Sequence, residues 1–96
     1  MNGEAEATFN RGVLQARAGA VDDALQAFAA AAQARPAWAA PWEARGQLLF
    51  ARGDVEGAAG AFEAAIARAP ASVDAHANLA LCRQRMRQWS RAVAPF

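Results

Sequence analysis

The sequence predicts an all-α fold, a single small domain built as a solenoid of antiparallel helix pairs, and three observations predict it. Ala supplies 30 of the 96 residues, Lys and Tyr are absent and all ten cations are Arg, so helix propensity is high and strand-forming composition is nearly missing. Apolar and small residues return every three or four positions, the mark of a helix with one buried stripe. The chain also repeats itself with a shift of 34 residues. Arg11, Gly12, Leu14, Gly19, Val21, Phe28 and Pro36 recur as Arg45, Gly46, Leu48, Gly53, Val55, Phe62 and Pro70. Because the large apolar residues are few, any core must rely on close backbone approach.

The repeat divides the chain into units of about 5–38, 39–72 and 73–96, the last incomplete. The first helix is expected near 5–18 and ends at the Gly19-Ala20 turn. The second, near 22–34, opens on Asp22-Asp23, which complement the helix dipole. In the third, near 40–52, Pro41 fits the first turn, where its missing N–H costs nothing, and Gly53-Asp54 stops the helix. The fourth, near 56–68, carries Ala58, Ala61, Phe62, Ala65 and Ile66 as one stripe before Pro70. Gly57 and Gly60 weaken it and read as sites of close packing or bending. Ser72 is a candidate cap for a fifth helix near 73–86, and a short sixth is expected near 89–95. That third unit keeps only Ala92 and Phe96 in common with the second. Within each pair, small residues (Gly12, Ala24, Ala31; Gly46, Ala58, Ala65) let the helices approach, and Phe28 or Phe62 fills the space between them.

These registers resemble the tetratricopeptide repeat, whose pattern runs Trp, two residues, Leu-Gly, two residues, Tyr, then Ala, three residues, Phe, then Pro. The second unit fits best, with Trp42, Arg45-Gly46, Leu49, Ala58, Phe62 and Pro70, Arg standing for Leu and Leu for Tyr. The first reads Thr8, Arg11-Gly12, Gln15, Ala24, Phe28 and Pro36. The third reads His76, Leu79-Ala80, Arg83, Ala92 and Phe96, without the Gly of the helix turn or the closing Pro. The resemblance implies an αα-superhelix of two and a half to three repeats, in which first helices line a concave surface that binds a protein or peptide segment.

Charge and chemistry narrow the function. A formal charge of +1 lacks the basic excess that phosphate backbones require, and no apolar run approaches a membrane span, so nucleic acid and bilayer are not expected partners. Ser72, Asp74 and His76 are the one trio resembling a nucleophile, acid and base, but residues two apart on a helix point in different directions, and a cap with an acidic first turn explains them. His76 and Cys82, six apart, face about 120° from each other. No enzyme activity, metal or cofactor is expected. Cys82 has no partner for an internal disulfide, and the acidic start lacks signal-peptide features, which favours the cytoplasm.

The expected groove follows from the resemblance: Phe9, Asn10, Val13 and Arg17 on the first helix, Glu43 and Gln47 with Phe50 on the third, Asn78, Leu81 and Arg85 on the fifth. An apolar face beside two Asn suits the backbone of an extended peptide. The family's clamp for chaperone carboxylate tails needs cations, whereas those positions here are Phe9, Val13, Ala44, Asp74 and Asn78, so that ligand is not expected. The alternative to a binding scaffold is a self-assembling structural unit, or the N-terminal repeat region of a larger enzyme such as a transferase. Residues 75–96 hold four Arg and no acid, whereas residues 1–74 hold six Arg and nine acids. An end carrying Met86, Trp89, Val93 and Phe96 would therefore offer both apolar and charged contact to a second copy, as a homodimer.

Overall fold

The computed structural model describes residues 3–93, with side chains through Arg91. Five helices follow one another, α1 (Gly3–Arg17), α2 (Val21–Ala34), α3 (Ala40–Ala51), α4 (Val55–Arg68) and α5 (Val73–Val93), and the described residues contain no strand. Each helix packs on the next, so the molecule is a ribbon of stacked hairpins measuring 55 × 30 × 17 Å. Its radius of gyration, 14.3 Å, exceeds the roughly 13 Å of a compact domain of this length.

The turns repeat with the sequence. Gly19 and Gly53 adopt φ of 84° and 94°, a region closed to most side chains. In each, the glycine N–H and the N–H after it return to the preceding helix: Gly19 to Ala16 O and Ala20 to Gln15 O, then Gly53 to Phe50 O and Asp54 to Leu49 O, at 2.8–3.0 Å. The connections between units match as well, since Trp38 N donates to Arg35 O and Ser72 N to Ala69 O, both at 3.1 Å. Capping differs between units. Asp54 accepts the Gly57 N–H at 2.9 Å, whereas Ala20 offers α2 no side-chain cap. Ser72 caps α5 as expected, accepting the Ala75 N–H at 3.1 Å.

The core is made of the predicted small residues and rings. Ala24, Ala31, Ala58 and Ala65 are fully buried, with Phe28 and Phe62 almost so. A Cβ added at Gly12 would lie 2.7 Å from the Phe28 ring, and one at Gly46 would lie 2.6 Å from the Phe62 ring. At Gly57 the neighbour is different: a Cβ there would meet the Asp54 carboxylate at 2.5 Å, so a side chain would have to shift the cap. Gly60 meets nothing, so the close packing expected of it is absent.

The third unit departs from expectation. The helices anticipated near 73–86 and 89–95 are one continuous helix, α5. Arg87 and Gln88 occupy the registers of Gly53 and Asp54; Arg resists the left-handed turn that Gly accepts, and both residues favour helix. Ala75, Leu79 and Cys82 of α5 are buried, and Met86 packs against the core they share with α4. Met86 is therefore part of the stack and not of an uncovered end. Trp89 is 52% exposed. Phe96 lies outside the described residues, as does the side chain of Val93.

Candidate functional site

The first helices of the three units, α1, α3 and α5, line two shallow cavities floored by the plugging rings. One, of about 220 Å³, is bounded by Val13, Ala16 and Arg17 of α1, Phe28 of α2, and Ala44, Gln47 and Leu48 of α3. The other, of about 150 Å³, is bounded by Gln47 and Phe50 of α3, Phe62 of α4, and Asn78 and Leu81 of α5. Adding 34 to Val13, Ala16, Phe28, Ala44 and Gln47 gives Gln47, Phe50, Phe62, Asn78 and Leu81. The second cavity is thus the first, one period later, and Gln47 belongs to both. A continuous track runs from Arg17 across Gln47 to Asn78 and Leu81, and no acid lines either cavity.

A family model of the tetratricopeptide repeat matches residues 2–39 and 43–96. The chain belongs to the tetratricopeptide repeat family. Proteins of this family serve generally as scaffolds for protein–protein interaction, and their repeats are typically non-catalytic. The comparison with curated proteins returned no match to this chain.

In this tetratricopeptide chain the expected groove residues divide into two groups. Val13, Arg17, Gln47, Phe50, Asn78 and Leu81 meet at the paired cavities, and Arg85 stands beside them with its guanidinium 5.2 Å from the centre of the Phe50 ring. Phe9 is instead half-buried, its ring centre 5.3 Å from that of Phe28 and 5.0 Å from that of Trp38. Neighbouring rings thus cover Phe9, as a core residue would be covered. Glu43 accepts a 3.2 Å hydrogen bond from the Ser72 hydroxyl and so ties α3 to the turn before α5. Asn10 is exposed on α1 and lines neither cavity.

Sequence reasoning left out the cavity floor. The repeat places Phe28 and Phe62 in the gap between paired helices, and they do fill it, but each ring also forms the base of a cavity. The signal was present, because the small residues Ala16 and Ala44 leave the first ring visible. Trp38 is a further residue that the helical spacing does not single out, and it lines neither groove cavity. It stacks on Phe9 and carries Arg35 at 4.7 Å from its ring centre, and Arg35 in turn pairs with Glu6 at 3.0 Å.

Two members of the candidate catalytic trio, Ser72 and His76, are engaged structurally. Ser72 bridges Glu43 and the Ala75 N–H, and His76 Nε2 donates to Pro70 O at 2.9 Å. Burial holds the Cys82 thiol above its usual pKa, with nearby Arg85 opposing the shift; a neutral buried thiol is a poor nucleophile. Among the described residues, no cluster of His, Cys, Asp and Glu could hold a metal ion, and no helix is long and apolar enough to cross a membrane.

Proposed function

We infer that this chain is a non-catalytic docking module that receives an extended, partly apolar, neutral or acidic segment of a partner protein along α1, α3 and α5. The observation that carries the reading is the duplicated cavity. Two apolar depressions one repeat apart suit alternate side chains of an extended strand, while the amides of Gln47 and Asn78 can hold the backbone between them. Arg17 at one end and Arg85 at the other favour acidic flanks. Ordering a flexible peptide offsets much of the contact energy, so affinity should be on the order of micromolar. The reading holds equally if the module fronts a larger protein such as a transferase, whose chemistry then resides elsewhere.

The test is selection of peptides from a displayed library against the whole chain, followed by titration of the best binder. Replacing Asn78 and Leu81 together by Ala should weaken it by about tenfold or more. Unchanged affinity, with the helical signature intact, would remove this surface from the binding site.

A second reading rests on Trp89, exposed near the end of α5, which at 21 residues is longer than the 14 of α4. There α5 can contact a second copy as a two-fold dimer. Light scattering after size exclusion at about 50 µM, well above a micromolar dissociation constant, should then give twice the chain mass. A single-chain mass, unchanged by Trp89→Ala, excludes the dimer.

A further inference from the structure

A third cavity, of about 440 Å³, lies between α2 and α3 and shares only Phe28 with the groove. Its walls include Ala32, Gln33 and Pro36 on one side and Pro41, Trp42 and Arg45 on the other. The repeat supplies an internal comparison that explains why it is open. One period later, at the joint between α4 and α5, the registers of Ala32 and Arg45 hold Ile66 and Leu79. There Leu79 is buried and Ile66 packs against the core cluster, so the equivalent joint is filled with hydrocarbon. Between α2 and α3 the same two positions provide a methyl group and a cation.

That cation has no counter-charge. Among the described residues Arg45 makes no ion pair or hydrogen bond, and no carboxylate lines the cavity. Arg68 nearby is already engaged: it stacks on the Trp42 ring at 4.7 Å and donates to Pro36 O at 2.6 Å and Ala64 O at 2.8 Å. The wall holds one more unmatched donor, the Trp42 indole N–H, which is buried with no acceptor in range. An apolar recess of ligand scale with a half-buried Arg and no acid is complementary to a carboxylate attached to hydrocarbon.

We propose that the cleft between α2 and α3 is a second docking site, separate from the groove, which accepts an acidic side chain flanked by apolar residues from a partner protein. Arg45 pairs with the carboxylate, and the neighbouring apolar side chain fills the volume that Ile66 and Leu79 fill in the next joint.

The test uses the whole chain, labelled with ¹⁵N, titrated with a blocked leucine-glutamate-leucine peptide and with its glutamine counterpart. The Trp42 indole N–H, assigned by its loss in Trp42→Phe, reports the site. The expected result is a saturable shift of that signal with a dissociation constant on the order of 1 mM, since so small a peptide makes few contacts. Binding should fall at least about tenfold with the glutamine peptide and with Arg45→Leu, and survive Arg45→Lys in part. Arg45→Leu installs the residue that stands in the same register at Leu79, and circular dichroism confirms its helix content. Asn78→Ala with Leu81→Ala should leave this titration unchanged, which separates the cleft from the groove. No saturable shift, or equal shifts with both peptides or in Arg45→Leu, overturns the proposal and leaves an underpacked joint between repeats.

Discussion

Gly46 and Phe62 are fitted to each other at atomic tolerance, and a single carbon tests the fit. Truncating Phe62 to Ala opens a void in the middle of the stack and should cost about 3–5 kcal/mol in urea unfolding. Gly46→Ala pushes a methyl onto an immobile ring and should cost about 1–3 kcal/mol. Gly60→Ala, inside the same α4 but facing open space, should stabilise by about 0.5–1 kcal/mol. Equal effects at the two glycines would refute the fit. Cys82 supplies a titration test at the same scale. Its folded pKa is raised by burial, so its contribution to stability is complete below the ordinary thiol pKa and is lost as pH rises through the raised one. Stability should therefore decline on the alkaline side, and Cys82→Ala should flatten that decline. Iodoacetamide should label the thiol far more slowly in the native chain than in urea.

Two helices that share a register can end differently because of two residues. Gly53 releases the chain into a left-handed turn and Asp54 caps α4, whereas Arg87 and Gln88 carry α5 straight through. Asp54→Ala leaves the Gly57 N–H without its acceptor and should cost about 1 kcal/mol. Conversely, placing Gly at 87 and Asp at 88 should stop α5 near Met86, read as faster hydrogen exchange from residue 87 onward. Slow exchange retained there would mean that packing beyond Met86 holds the helix. The outer registers of α5, His76, Ala80, Arg83 and Arg87, are all exposed, and three of the four are polar. A polar outer face of this kind is what a helix at the edge of a repeat stack needs in order to meet water.

Across the molecule, stability comes from contacts between neighbours, because each helix packs mainly on the one next to it in the chain. α4 is flanked by α3 and α5 and carries six buried residues, from Val55 to Ala65. Its amides should exchange most slowly, and those of α1 and of the last two turns of α5 most quickly. Fastest exchange in α4 would contradict a nearest-neighbour stack. The exposed ion pairs Arg52–Asp22 and Arg83–Glu63, at 2.9 and 3.5 Å, add little to this balance.

The period, the first four helices to within about two residues, both glycine turns and the plug of each hairpin are legible in the residues alone. Those features depend on residue types that admit few backbone conformations or on side chains with one apolar stripe, and both are local. The sequence also names six residues that meet at the paired cavities, since a fixed period carries equivalent positions onto one face. The rest depends on contacts between helices. Phe9 and Glu43 share that face, yet one is covered by Phe28 and Trp38 and the other is held by Ser72, partners 19, 29 and 29 residues away that no helical spacing reveals. Met86 reads as uncovered until α4 is seen to lie against it. The gap between α2 and α3 likewise appears only when Ala32 and Arg45 face each other across a joint. Whether a recess stays empty depends on the summed volumes of both walls, a quantity that neither segment carries alone.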